Sequence, residues 1–249
     1  MMEGFGEVFL ARPEYQVISE LVQNPDVSPA EAVQNLLRVR EVLHQEGGEP
    51  PTEIDGTHTW IAMVTVVKVV NLIPAAQQHK LIEFIAHLQR TKIVDPDTGQ
   101  EPTSYAQQVD DDPRMEYPPR ELQEWENRNA FMAQLTAKAD HLGHAIDASL
   151  YALWACRETF EECDPLVEEA VRISCIWYIY AGQRMWENCQ VQRIFGDADG
   201  PPPRPRFTMG KWHLWKDGLK AAQLLFSRVS TQEMIQKALA EIEKAERGE

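Results

Sequence analysis

The chain has 249 residues, of which 43% are hydrophobic and 25% charged, a composition typical of a globular protein with a substantial core. Its 39 Asp and Glu residues outnumber the 24 Lys and Arg residues, which gives a formal net charge of −15. A surface this acidic repels nucleic-acid phosphates and anionic membranes, so the composition argues against both as partners.

The sequence also lacks signals for secretion or for a membrane span. Its first residues do not have the basic and then apolar pattern of a signal peptide. The longest apolar stretch, residues 60–73, contains Lys68 and is too short to cross a bilayer. The four cysteines have neither zinc-site nor redox-motif spacing, which favours reduced thiols. We therefore expect a cytoplasmic protein.

Helical periodicity predominates from the start of the chain, and the alternation typical of strands is nearly absent. A first helix is predicted over 13–23, opened by Pro13. The second starts at Ser28, where a Ser-Pro-Ala-Glu capping box is present, and ends before Gly47. The remaining predicted helices cover 57–72, 75–91, 119–141, 143–161, 165–189, 208–228 and 230–247.

Two long connections interrupt this pattern. Residues 92–118 are polar and rich in Pro, Asp and Gly, and residues 190–207 include a run of prolines. Proline runs cannot form helix, and loops longer than about 15 residues are usually functional or disordered. The sequence thus predicts an all-α fold, one domain over 1–249 with about nine helices and two long loops.

Several segments of the second half carry a family resemblance. Residues 125–136 contain a Trp-Glu-Asn-Arg-Asn-Ala-Phe stretch, and residues 212–216 read Trp-His-Leu-Trp-Lys. These segments, with Leu153 to Glu158 and Trp177 to Gly182, resemble a fungal all-helical family known only as a domain of unknown function. The resemblance implies a fungal source, a helical fold and a soluble intracellular protein, and it implies no activity.

The spacing of His79, Glu83 and His87 suggests a metal site, because residues four apart lie on one face of a helix. The apolar residues of the same helix, such as Leu81 and Phe84, occupy the other side. Ligands of a metal inside a bundle would point inward with them. We therefore predict a solvent-exposed face here and no metal.

His144 and Asp147 are the candidate catalytic residues. With Tyr151 and Trp154 they follow one stripe of the predicted helix over 143–161. A carboxylate that orients an imidazole can make a general base in a cavity between helices. The alternative is a capped helix end with an ordinary hydrogen-bonded His, because Gly143 lies at this point.

Trp177, Tyr180 and Arg184 form a second stripe, on the helix predicted over 165–189. Aromatic side chains beside an arginine can hold a planar or anionic ligand. Together with Tyr151 and Trp154 they are the predicted ligand-binding residues. The alternative, which we favour for this stripe, is core packing with Arg184 paired to Glu187.

Signatures of cofactor enzymes are missing. The sequence contains no glycine-rich phosphate loop, nucleophile elbow or dinucleotide fingerprint. The acidic run 110–112 resembles the magnesium-binding carboxylates of terpene synthases, but neighbouring prolines predict a loop without a second ligand set. We expect no cofactor.

Two functions remain open at this point. The first is a small-molecule-binding protein or a cofactor-independent enzyme with an aromatic-lined pocket between helices. As an enzyme it would catalyse an acid–base isomerisation, cyclisation or dehydration, for which specialised metabolism is one setting. In this function His144 transfers the proton, Asp147 orients the His144 ring and Arg184 binds an anionic group of the ligand. The second is a non-enzymatic module that binds proteins through its acidic surface and long loops. The sequence slightly favours the first, and it does not determine the oligomeric state.

Overall fold

The computed structural model of the chain describes residues 10–48, 50–91, 119–196 and 204–249. These residues contain nine α-helices and no β-sheet, so the predicted all-α fold is confirmed. The helices are α1 (Pro13–Gln23), α2 (Pro29–Glu46), α3 (Pro51–Leu72), α4 (His79–Arg90), α5 (Pro119–Lys138), α6 (Ser149–Arg157), α7 (Glu168–Gln190), α8 (Met209–Leu225) and α9 (Val229–Arg247). None of these described helices is long and apolar enough to cross a membrane.

The contacts along the chain divide it into two compact units, residues 1–118 and 119–249. We call them the N-terminal unit and the C-terminal unit. The single domain expected from the sequence stays a prediction. The expected loop over 92–118 lies outside the described residues. Of the loop expected over 190–207, the flanks are described, and they pair through an antiparallel bridge between Ile194 and Arg206.

The N-terminal unit contains α1 to α4, and its helices begin and end where the local chemistry dictates. The Ser28 hydroxyl accepts a hydrogen bond from the Glu31 amide at 3.1 Å, as the capping box predicts. The ammonium group of Lys80 on α4 donates to the carbonyls of residues 21, 24, 25 and 27, where α1 ends. These carbonyls have no partner within the helix, so the lysine satisfies the end of α1.

The C-terminal unit is organised around α7, which packs against both α5 and α9. The guanidinium of Arg172 on α7 is buried and donates to both carboxylate oxygens of Glu126 on α5, at 2.6 and 3.0 Å. It also donates to Ser230 and Thr231 at the start of α9, and Thr231 donates to Glu168. One buried ion pair thus joins three helices.

Three departures from the predicted helices are local. Helix α3 begins at Pro51, six residues earlier than predicted, because proline fits the first position of a helix. Helix α7 is kinked at Ala181, next to Gly182, where an added Cβ would lie 3.7 Å from Glu241 of α9. Helix α6 ends at Arg157, and Glu158–Glu162 form a wider, π-helical turn.

Candidate functional site

The segment that carries the predicted catalytic pair is not helical. Residues 139–148 form successive turns, and α6 begins only at Ser149, so the helix predicted over 143–161 is wrong at its start. Gly143 has a φ of +80°, which glycine adopts without strain and other residues rarely do. His144 and Asp147 therefore do not continue the helical stripe of Tyr151 and Trp154.

The Asp147 side chain is buried and fully engaged with other groups. It accepts hydrogen bonds from the amide of Gly143 at 2.9 Å, from the amide of Ser149 at 3.1 Å and from the Ser149 hydroxyl. The guanidinium of Arg193 contacts it at 2.5 Å. Burial raises the pKa of Asp147, but these donors outweigh it and hold the pKa below its ordinary value.

His144 has a different partner. Its Nδ1 accepts a hydrogen bond from the Ile146 amide at 3.3 Å, and its ring packs edge-on against His141. The donors described for Asp147 are Gly143, Ser149 and Arg193, so the carboxylate serves the turn and the start of α6. The catalytic role of the two residues stays a prediction, and this geometry gives them a structural one.

The residues predicted to bind a ligand also have structural partners. Trp177 is fully buried, and its indole nitrogen donates to Asn129 at 2.9 Å. Arg184 donates to the carbonyl of Ala139, after the end of α5, and pairs with Glu187 at 3.1 Å. The contacts of Trp177 and Arg184 are therefore those of core packing, the alternative favoured for this stripe.

The other three predicted ligand-binding residues are not buried. Tyr180 is partly exposed, and its partial burial raises the pKa of its phenol. Tyr151 and Trp154 are half-buried on α6 and pack edge-on at 5.3 Å between ring centres. A ligand-binding role for these aromatic residues stays a prediction.

The histidines of the metal hypothesis lie at the surface. His79 and His87 are exposed on α4, whereas Leu81 and Phe84 are buried, as the helical spacing predicts. Among the described residues, no group of three or more His, Cys, Asp or Glu side chains could hold a metal ion. The acidic run 110–112 lies outside the described residues.

Three of the four cysteines lie in the core of the C-terminal unit. Cys156, Cys175 and Cys189 are free thiols and fully buried, and Cys163 is half-buried. Burial raises the pKa of Cys156 and of Cys189 to about 12. A thiol with such a pKa stays protonated at neutral pH, so these side chains act as small apolar residues rather than nucleophiles.

The N-terminal unit contains a histidine–carboxylate pair that the sequence analysis missed. Nδ1 of His58 lies 3.0 Å from the carboxylate of Glu14, and both side chains are completely buried. Burial raises the pKa of Glu14, but hydrogen bonds from His58 and Arg12 lower it further, so the carboxylate is ionised and Nδ1 donates. Nε2 of His58 is buried without a hydrogen-bond partner among the described residues.

A second missed feature is an exposed apolar strip on α8. On one side of this helix Trp212, Trp215, Leu219 and Ala222 are buried. The exposed side carries Asp217 and Lys220, and it presents apolar residues as well. Leu224 is 91% exposed, Leu225 59% and Leu214 49%, and Ala221 is exposed between them. We call these four residues the α8 strip.

The π-helical turn Glu158–Glu162 packs against α8 beside the strip. Glu161 of this turn accepts from the indole nitrogen of Trp215 and pairs with Lys211, both at 2.9 Å. The ring of Phe160 lies only 2.5 Å from where a Cβ on Gly218 would be, so residue 218 must be glycine for the ring to pack there. The turn thus adds a half-buried aromatic side chain beside the strip.

Comparisons with known proteins identify one relationship. A family model described as a protein of unknown function, DUF3632, matches residues 30–219, which is more than half of the chain. No curated protein and no solved structure matches. The predicted resemblance to a helical family of unknown function is thereby confirmed.

The contacts of the predicted catalytic pair can be tested by substitution. We expect Asp147→Asn to lower the free energy of unfolding at pH 7 by about 2–3 kcal/mol, because it removes a buried charge that Arg193 and two amides bind. His144→Ala should cost about 1 kcal/mol or less, since one weak hydrogen bond is lost. Urea unfolding of both variants measures the difference.

The pH dependence follows from the lowered pKa of Asp147. The stability that an ionised carboxylate contributes is complete above its unfolded pKa of about 4, and it is lost as the pH falls through the lower folded pKa. The gap between wild type and Asp147→Asn should therefore begin to close below about pH 5 and vanish in stronger acid. Equal stabilities at pH 7 would contradict the structural role of Asp147.

Proposed function

The chain belongs to the DUF3632 family of proteins of unknown function, and we propose that it is a helical protein-interaction module whose binding surface is the α8 strip. The observation that carries this proposal is the exposure of Leu224, Leu225 and Leu214 on one helix whose other side is already buried. Single exposed leucines are ordinary, whereas a contiguous apolar surface marks an interaction site.

The energetics favour a partner on this surface. Burying a fully exposed leucine side chain stabilises a complex by roughly 1.5–3 kcal/mol, so the three leucines offset a large part of the cost of association, about 4–15 kcal/mol. Val229, the first residue of α9, follows Leu225 by four residues and is also 71% exposed. The phenyl ring of Phe160 lies beside the strip.

The setting that we propose is the cytoplasm of a fungal cell. The free thiols at positions 156, 163, 175 and 189 support a reducing compartment, because paired cysteines are usual in oxidising ones. The motif resemblance of residues 125–136 and 212–216 supports a fungal source. A role beside enzymes of specialised metabolism is compatible with an interaction module.

Photo-crosslinking tests the interaction module. With a photoreactive phenylalanine analogue at position 224, we expect irradiated cells to yield an adduct with one protein, identified by its peptides. The same analogue at position 72 is the control, because Leu72 is similarly exposed at the end of α3. The proposal is contradicted if the adducts at both positions are equal, if position 224 gives no adduct, or if the crosslink forms within the same chain.

A second candidate function is the small-molecule protein predicted from the sequence, acting by cofactor-independent acid–base chemistry. The observation that favours it is His58, because Glu14 orients its ring and leaves the opposite nitrogen buried without a described partner. A buried acceptor of this kind is costly unless a donor reaches it. In this candidate His58 replaces His144 as the proton-transfer group.

Native mass spectrometry tests this second candidate. We expect gently purified protein to carry an extra mass that the denatured chain lacks, and the extra mass should be lost in His58→Asn, whose amide still donates to Glu14. His44→Asn is the matched control, since His44 also binds a carboxylate, that of Asp55 at 2.7 Å. An apo mass in the wild type would remove the candidate, as would a ligand that both variants retain.

A further inference from the structure

We propose that the turn between α1 and α2 is a binding site for a monovalent cation, and that the ammonium group of Lys80 is the cation that occupies it. The ligands that such a site takes from solution are K⁺ and NH₄⁺, since K⁺ exchanges its hydration shell for backbone carbonyl oxygens. Lys80 and the turn both belong to the N-terminal unit, so the inference is independent of the α8 strip.

Four backbone carbonyl oxygens converge on Nζ of Lys80. They lie at 3.3, 2.7, 3.1 and 2.9 Å and belong, in that order, to Leu21, Asn24, Pro25 and Val27. An ammonium group has three N–H donors, so it cannot direct a separate hydrogen bond to each of four acceptors. The oxygens therefore surround the positive charge as they would surround an ion.

The end of α1 explains why carbonyl oxygens collect at this turn. The last four carbonyls of a helix have no partner within it, and they carry the negative end of the helix dipole. The last turn of α1 contains no basic residue of its own. The positive charge comes instead from Lys80, the second residue of α4, which lies 53 residues after Val27.

The surroundings of Lys80 differ from those of the lysines that pair with acidic side chains. The lysines at positions 211, 216, 220 and 244 each lie within 3.0 Å of a carboxylate oxygen. The ammonium of Lys80, in contrast, contacts only carbonyl oxygens among the described residues. Divalent cations are usually bound by carboxylates, whereas four neutral oxygens suit a single positive charge.

The distances narrow the class of ion further. Magnesium and calcium hold their oxygen ligands at about 2.0–2.6 Å, which is closer than any of the four contacts of Lys80. K⁺ and NH₄⁺ are larger and nearly equal in size, so they fit the same oxygens without drawing the turn inward. Li⁺ is too small to reach all four.

Shortening the side chain should allow a dissolved ion to replace the ammonium. In Lys80→Ala the four carbonyls lose their charge partner, and Tm falls because the end of α1 is left unsatisfied. K⁺ or NH₄⁺ then stabilises the folded variant by mass action. A site with a Kd of about 20 mM raises the ratio of folded to unfolded chains about tenfold at about 0.2 M salt.

Thermal unfolding of the full chain, followed by circular dichroism, tests the site. Potassium chloride and ammonium chloride are compared with tetramethylammonium chloride at equal ionic strength, because all three screen the net charge of −15 alike. We expect the Tm of Lys80→Ala to be about 3–6 °C higher in the first two salts. The wild type should show no such difference. Sucrose in every sample supports the folded state of the weakened variant.

Two control variants separate ion binding from loss of a lysine. Lys216→Ala removes an ammonium that binds a carboxylate, that of Glu246 at 2.6 Å, so its Tm should be the same in the potassium and tetramethylammonium salts. Lys80→Met removes the charge but keeps a side chain of similar length, which leaves no room for an ion. It should lose stability and regain none in potassium chloride.

Equal Tm values of Lys80→Ala in the potassium and tetramethylammonium salts overturn the inference, as does an equal response of either control variant. A second measurement needs no variant at the site. In NMR spectra of the isotope-labelled wild type, the ammonium protons of Lys80 should exchange with water more slowly than those of Lys220, whose side chain is 55% exposed. Equal exchange of the two ammonium groups also overturns the inference.

Discussion

The guanidinium of Arg172 is taken out of water inside the C-terminal unit, and Glu126 supplies both carboxylate oxygens that hold it there. Removing one partner of such a buried pair costs about 3–5 kcal/mol, because the other charge stays buried and unpaired. The pair therefore fixes α5 against α7, and the bonds from Arg172 to Ser230 and Thr231 fix the start of α9. Helix α8 packs onto this framework through Trp212 and Trp215 and leaves its other side exposed.

The need of buried polar groups for hydrogen-bond partners also explains what the predicted site residues do. Asp147 binds Arg193, Arg184 binds the carbonyl of Ala139, and Trp177 binds Asn129, so each buried polar group is used within the fold. His58 differs, because Nδ1 has a partner in Glu14 and Nε2 has none among the described residues. The functions that we propose therefore use groups without such partners, the buried nitrogen of His58 and the exposed leucines of α8.

Much of the fold follows from local sequence signals. Proline and Ser28 at helix starts, Gly47 after a helix end and the periodic apolar residues of α4 all act within a few residues. The errors in the predicted elements arose where contacts with residues far away in the sequence determine the local backbone. The turn at 139–148 is held by Arg193, which lies 46 residues after Asp147, and the π-helical turn is held by Lys211 and Trp215. The α8 strip was missed because the sequence alone does not show which leucines of a helix the rest of the fold covers.

The central claim is that the exposed leucines of α8 form a binding surface, and methyl NMR of leucine-labelled protein tests it most directly. Between dilute purified protein and intact cells, the methyl signals of Leu214, Leu224 and Leu225 should shift or broaden together, while those of Leu72, exposed on α3, change much less. Signals of the α8 leucines that change no more than those of Leu72 would contradict the account.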